Sequence, residues 1–193
     1  AMERISVQAI QFILTIILAR LIAPAEFGLI AMLGIFMQVA QSFVDSGFSN
    51  ALIQKKDRSE IDFSTVFYFN CVISIAVYIA LYISTPYIAQ FYNEPILANV
   101  CKWIGLNLIL QGIAVVQVAK LTIDLDFKTQ AKASLVAVTI SGALGLFFAY
   151  NGYGVWALVI QSLFNSLINT LLLFFYTKWK PTLEFSWLSL KSM

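Results

Sequence analysis

Long stretches without a single charged residue constrain this chain more than any other feature. No Asp, Glu, Lys or Arg occurs from Ala133 to Thr177, and none occurs from Phe63 to Asn93. An α-helix needs roughly 20 predominantly apolar residues to cross the hydrocarbon core of a bilayer. The first stretch therefore accommodates two membrane-spanning helices, and the second accommodates one long helix. Charged residues make up only 11% of the chain, against about 25% in soluble domains, which excludes that class.

The hydropathy pattern predicts an all-α integral membrane protein with six transmembrane helices in one bundle that covers residues 1–193. The predicted spans are 5–22, 27–50, 63–85, 96–119, 133–150 and 154–177. Most Lys and Arg residues fall in alternate connections, whereas Arg20 and Lys102 are the basic residues on the opposite side. Because basic residues are retained in cytoplasmic loops, both termini of this segment are expected in the cytoplasm.

The composition argues against several kinds of function. The chain has no His, the commonest general base and metal ligand, and it lacks a phosphate-binding loop or a nucleophile-elbow motif. Catalytic residues, metal sites and cofactors are therefore not expected. The net charge of +2 is too small to indicate nucleic-acid binding. Asp124 and Asp126 are interpreted as part of an interfacial charge cluster, because no soluble catalytic domain surrounds them.

Amide side chains recur at helical spacing within four of the predicted spans. Residues three or four positions apart lie on one side of a helix, so each set forms a polar stripe. The stripes contain Gln8 and Gln11; Gln38, Gln41 and Asp45; Asn107 and Gln111; and Gln161, Asn165 and Asn169. Such amides can join helices through hydrogen bonds. Four stripes favour a shared hydrated cavity over simple packing.

Three residues near the ends of these spans carry separate hypotheses. Asp45 is the only carboxylate within a predicted span; it either lines the cavity or ends the helix near its cytoplasmic end. Arg20 either contacts an anionic head group or extends its side chain to the membrane interface. Gly47, two residues after Asp45, is the candidate hinge.

Residues 19–56 read ARLIAPAEFGLIAMLGIFMQVAQSFVDSGFSNALIQKK and resemble a known family. The matching positions are Arg20, Pro24, Phe27, Gly28, Asp45, Gly47, Phe48, Ser49, Ala51, Leu52, Ile53 and Gln54. Weaker matches follow at residues 125–128 and 152–158, and at Trp179 and Pro181. The chain thus resembles the N-terminal portion of the Wzx-type polysaccharide flippases, within the multidrug/oligosaccharidyl-lipid/polysaccharide flippase superfamily. Ala23, Ala25 and Lys120 depart from the family pattern.

The resemblance implies a fold of two six-helix bundles around a central cavity. Members of the family turn an undecaprenyl-diphosphate-linked oligosaccharide repeat unit across the bacterial cytoplasmic membrane by alternating access. This chain would then be the N-terminal bundle, without the C-terminal one. The implied partners are lipid-linked oligosaccharide and membrane lipids, with polysaccharide polymerase and export proteins as further candidates and no nucleic acid. No cofactor is implied.

The polar stripes and the resemblance together predict a substrate cavity, because amides can hydrogen-bond the hydroxyls of a sugar without a fixed charge. The residues predicted to line it are Gln8, Gln11, Arg20, Gln38, Gln41 and Asp45, with Asn107, Gln111, Gln161, Asn165 and Asn169 as secondary candidates. Two other functions stay open. An ion-coupled drug antiporter of the same superfamily would favour more carboxylates and aromatic residues in the cavity. A membrane-embedded glycan enzyme would favour paired carboxylates or His and Arg clusters in large loops.

Overall fold

The computed structural model describes residues 2–45, 48–55, 58–182 and 185–187, and the regular elements within these ranges are α-helices. In chain order they are α1 Met2–Leu21, α2 Pro24–Val44, α3 Phe48–Gln54, α4 Glu60–Tyr92, α5 Ile96–Ile123, α6 Phe127–Tyr150 and α7 Val155–Thr177. Helices α2, α4, α5, α6 and α7 are long and apolar enough to cross a membrane, and α1 contributes a shorter apolar helix, Ile5–Leu21. The prediction of an all-α membrane bundle is confirmed.

Helix α5 lies at the centre of the bundle. It packs along α4 after a tight turn, lies against α7 and also contacts α2, α3 and α6. Burial reflects this position, since 56% of the most apolar stretch of α5 is buried, against 17% for α2 and for α7. Helices α6 and α7 form a second hairpin, and α1 packs on α6. Because α5 lies against α7, polar residues of these two helices come close together; they are described below.

The second predicted span, 27–50, is divided between two helices. Pro24 occupies the first turn of α2, where its missing N–H costs no hydrogen bond. Helix α2 ends at Val44, and Asp45 leaves the helical conformation with φ −72° and ψ 1°. Short polar side chains compete with the backbone for hydrogen bonds and therefore favour helix ends. Of the two hypotheses for Asp45, the one in which it ends the helix agrees with its backbone conformation.

Helix α4 is longer than the predicted span 63–85. It has 33 residues, which corresponds to a length of about 50 Å. Pro86 lies inside the helix and cannot donate to the carbonyl of Tyr82. The hydroxyl of Thr85 donates to that carbonyl instead, at 2.8 Å, so the freed acceptor is satisfied inside the protein. The helix ends at Tyr92, and its capping residue Asn93 adopts the left-handed conformation, so the connection predicted from Pro86 to Pro95 is much shorter.

Most of the basic residues cluster at one end of the bundle, which we call the basic end: it contains the connections α3–α4 and α5–α6 and the segment after α7. The chain after α7 returns across the start of α4. There the backbone N–H of Thr182 donates to Ser64 Oγ at 3.0 Å, and that of Ser186 donates to Thr65 Oγ1 at 3.1 Å. These contacts hold the segment after α7 against the bundle.

Candidate functional site

A cavity of about 530 Å³ lies in the half of the bundle next to the basic end. Helices α2, α3, α4, α5 and α7 contribute to its wall. Its polar lining consists of Gln41, Asp45, Asn50, Asn70, Gln111, Asn165, Ser166, Asn169 and Thr170. We call it the amide cavity. Asp45 is the only charged side chain among the described residues that line it, so the cavity offers mainly neutral donors and acceptors.

Some polar side chains of the amide cavity are engaged with the protein. Gln41 Nε2 donates to Asp45 Oδ1 at 2.9 Å, which links the last turn of α2 to its capping residue. Asn70 is buried and donates to the carbonyl of Val66 at 3.1 Å. The side chain of Gln111, by contrast, makes no hydrogen bond within the ranges that the structure describes, and it is exposed to the cavity. The wall therefore combines fixed polar groups with groups that can bind a ligand.

A smaller cavity of about 250 Å³ lies further from the basic end, beside α1. We call it the small cavity. Its polar lining consists of Gln11, Ser141, Gln161, Ser162 and Asn165. Asn165, near the middle of α7, lines both the small cavity and the amide cavity. The two volumes therefore adjoin along the polar stripe of α7.

The structure brings several of the predicted site residues together and separates others. Gln41, Asp45, Gln111, Asn165 and Asn169 line the amide cavity, and Gln11, Gln161 and Asn165 line the small cavity. Gln8 lies in a third cavity of about 240 Å³ between α1 and α6, beside Gln130 and Ser134. The four stripes thus surround several volumes, because α1 packs on α6, whereas α2 packs on α4, α5 and α7.

Three predicted site residues within the described ranges are not found in the walls of these three cavities. Gln38 lies about 10 Å from Asp45 along the axis of α2, and its side chain is exposed. Arg20, in the last turn of α1, is also exposed. Asn107 is buried and donates from Nδ2 to Ser162 Oγ at 3.0 Å, joining α5 to α7. The predicted hinge, Gly47, lies outside the described residues.

Sequence reasoning missed Asn50, Asn70, Ser166 and Thr170. Asn70 and Ser74 lie four residues apart in α4, so they share a helix face, but only one of them is an amide. Ser166 and Thr170 each follow an amide of the α7 stripe and extend it round the helix. Asn50 lies in the short helix α3, and its role in the wall depends on the break after α2. The neglected signals were therefore hydroxyl residues beside the α7 amides and the Asn70–Ser74 pair of α4.

Residues 17–193 match a family model described as "Polysaccharide biosynthesis protein". The chain belongs to this family. It is 23% identical over 177 residues to the succinoglycan biosynthesis transport protein ExoT of Rhizobium meliloti, a match covering 92% of this chain and 36% of that protein. The resemblance to the Wzx-type flippases inferred from residues 19–56 is confirmed.

Other family relatives give similar matches. The chain is 25% identical over 172 residues to the lipopolysaccharide biosynthesis protein WzxC of Escherichia coli, covering 88% of this chain and 35% of that protein. It is 29% identical over 102 residues to the teichuronic acid biosynthesis protein TuaB of Bacillus subtilis, covering 53% of this chain and 21% of that protein. The chain thus spans about a third of the length of the first two relatives. No solved structure matches it significantly.

Proposed function

We propose that this chain is the N-terminal bundle of a flippase that moves lipid-linked oligosaccharide repeat units across the bacterial cytoplasmic membrane for surface polysaccharide synthesis. The amide cavity is the observation that carries the proposal. Its lining is rich in amides and hydroxyls and contains one carboxylate, Asp45. Amides both donate and accept hydrogen bonds, so they can bind the many hydroxyls of a glycan without a fixed charge that would hold it too tightly.

The two faces of the α5–α7 pair match an amphipathic cargo. One face carries the amide cavity, whereas the other carries a groove of about 330 Å³ lined by Leu106, Ile109, Leu110, Leu163, Phe164 and Leu167. A lipid-linked oligosaccharide has a polar glycan and an apolar chain, and the chain can stay in contact with hydrocarbon while the glycan crosses a polar path. This division of surfaces supports an amphipathic substrate over a wholly apolar one.

The basic end is proposed to face the cytoplasm, which puts the amide cavity on the side from which the cargo is taken. Alternating access requires a second wall that moves against this bundle. The succinoglycan and lipopolysaccharide relatives are nearly three times as long as the segment that matches this chain, which leaves room for a second bundle. The complete transporter is therefore proposed to work with two bundles.

The experiment compares two glutamines on the same helix. Gln41→Leu removes an amide from the amide cavity, whereas Gln38→Leu removes an amide that lies outside it. Each variant is expressed in the complete protein in a strain that lacks the gene, and surface polysaccharide is measured at matched protein levels. We expect Gln41→Leu to lower export about tenfold and Gln38→Leu to leave it unchanged. Parental export by Gln41→Leu would contradict the proposal.

A further inference from the structure

Asn165 occupies a position that no other stripe residue shares. It is the only described residue that lines both the amide cavity and the small cavity. Its Oδ1 atom is buried, and it has no hydrogen-bond partner within the described part of the chain. The residue lies near the middle of α7, where the two cavities adjoin.

A buried carbonyl oxygen without a donor is costly in an apolar environment. Buried polar groups in native proteins are nearly always paired, with protein or with water, so an unpaired one requires an explanation. Here the adjoining cavities have volumes of about 530 and 250 Å³, and amide and hydroxyl side chains contribute to the walls of both, so water or a hydroxyl-bearing ligand can find polar partners there. The partner of Asn165 Oδ1 is therefore expected to be a mobile O–H donor.

Three polar residues near Asn165 on α7 are already engaged with the protein. Ser162 Oγ accepts from Asn107 Nδ2 at 3.0 Å, and Asn169 Oδ1 accepts from Ser134 Oγ at 3.4 Å. Thr170 Oγ1 donates to the carbonyl of Leu110 at 3.2 Å. These bonds hold α7 against α5 and α6. They leave Asn165 Oδ1, in a residue that lines both cavities, as an acceptor that no described residue satisfies.

We propose that Asn165 joins the two cavities into one continuous polar path and accepts a hydrogen bond from a hydroxyl group, of water or of the glycan, at the point of passage. The proposal deepens the flippase function and rests on it for the identity of the glycan. Asn165 is thus a specificity-determining residue for hydroxyl-bearing cargo. Phe164, the adjacent residue, lines the apolar groove on the other side of α7.

Thiol reactivity tests the path without reference to cargo. Asn165→Cys and Phe164→Cys are made in the complete protein after Cys71 and Cys101 have been replaced by Ala, and each is treated in membranes with a hydrophilic methanethiosulfonate. The thiolate is the reactive species, and it forms in water but not in hydrocarbon. We expect Asn165→Cys to react at least tenfold faster than Phe164→Cys, although the two residues lie at the same depth. Equal reaction rates of the two cysteines, whether fast or slow, would contradict the proposal of a continuous polar path.

Export then tests the role of the amide. We expect Asn165→Leu, which has a similar size and no acceptor, to lower export about tenfold at matched protein levels, and Asn165→Gln to retain most of it. Parental export by Asn165→Leu would overturn the specificity role. If Gln41→Leu also exports normally, the flippase proposal itself fails, whereas the thiol rates still decide whether the polar path exists.

Discussion

At the scale of single residues, Lys120, which departs from the family pattern, contacts three residues at the basic end. Its Nζ atom lies 3.2 Å from Glu60 Oε1 and 4.5 Å from the centre of the Phe63 ring. Trp179 Nε1 donates to Glu60 Oε2 at 2.6 Å, and its ring lies 5.0 Å from the same ammonium group. One lysine therefore connects α5 to the start of α4 and to the segment after α7.

Replacing this lysine should weaken the basic end of the bundle. We expect Lys120→Ala to lower the free energy of unfolding by about 1 kcal/mol, because exposed ion pairs contribute little and ring contacts add a similar amount. Lys120→Arg is the matched control, since it keeps the charge near both rings. Thermal unfolding in detergent measures the difference. A stability loss of equal size in both variants would contradict the charge-based account.

Asp126 is the capping residue of α6 and the basis of a pH prediction. The hydroxyl of Thr129 donates to Asp126 Oδ2 at 2.6 Å, and the backbone N–H of Thr129 donates to Oδ1 at 3.0 Å. These two hydrogen bonds, with the side-chain bond the larger cause, hold the pKa of Asp126 below its usual value. Because the pKa is lower in the folded protein, the ionised form of Asp126 stabilises the folded state.

The stabilisation from Asp126 is complete above the usual pKa of an aspartate, and it is lost as the pH falls through the lowered value in the folded protein. We expect Asp126→Ala to lower the melting temperature by a few degrees at neutral pH and to match the parent protein in strong acid. Asp126→Asn keeps an acceptor for the cap and should lose less. Melting curves from pH 7 to pH 2 provide the measurement, and a pH-independent difference would contradict it.

At the scale of helices, close packing of α4 and α5 determines the shape of the amide cavity. A Cβ atom at Gly112 of α5 would lie 2.6 Å from Ser74 Cβ of α4, so only glycine fits there. Gly112 follows Gln111, and Ser74 lies one turn beyond Asn70; both amides line the cavity. The contact therefore holds the two polar walls at their observed separation.

A larger residue at this contact should force α4 and α5 apart. We expect Gly112→Val to cost about 1–3 kcal/mol of stability and to lower export at matched protein levels, as overpacking displaces the cavity wall. Gly34→Ala in α2 is the control, because a Cβ atom there would meet nothing within 4 Å. Detergent unfolding and the polysaccharide assay measure the two effects. Equal behaviour of the two variants would contradict the packing argument.

At the scale of the whole molecule, the distribution of basic residues predicts the orientation of the bundle. The connection before α7 contains Tyr153, and the connection before α6 leads to Lys128, so the two lie at opposite ends. We expect Tyr153→Cys to react with a membrane-impermeant thiol reagent in intact cells, and Lys128→Cys to react only after permeabilisation. Both variants use the background without Cys71 and Cys101. The reverse pattern would contradict the predicted topology.

Helix positions could be predicted well where the membrane alone determines them. The predicted spans 96–119, 133–150 and 154–177 lie within α5, α6 and α7 or miss by a residue, because length and hydropathy are local properties. The prediction was less accurate at Asp45 and Pro86. A helix ends at the first and continues through the second, and in each case neighbouring hydrogen bonds decide the outcome.

Periodicity predicted the site only within each helix. It identified the stripes of Gln41 and Asp45 and of Gln161 to Asn169, which line cavities in the structure. It could not distinguish Gln41 from Gln38, since both lie on the same stripe but at different depths. It also could not assign Asn107, because the partner that engages its amide, Ser162, lies on another helix.

The sequence by itself determined that this protein is a helical membrane bundle with one basic end, because the energetics of burying charge in a bilayer act on each segment separately. Only the tertiary structure decided which helix faces meet. It brought Asn70 and Gln111 to the same cavity, engaged Asn107 with Ser162, and left Asn165 between two cavities. Those outcomes depend on contacts between residues far apart in the chain, which no local pattern encodes.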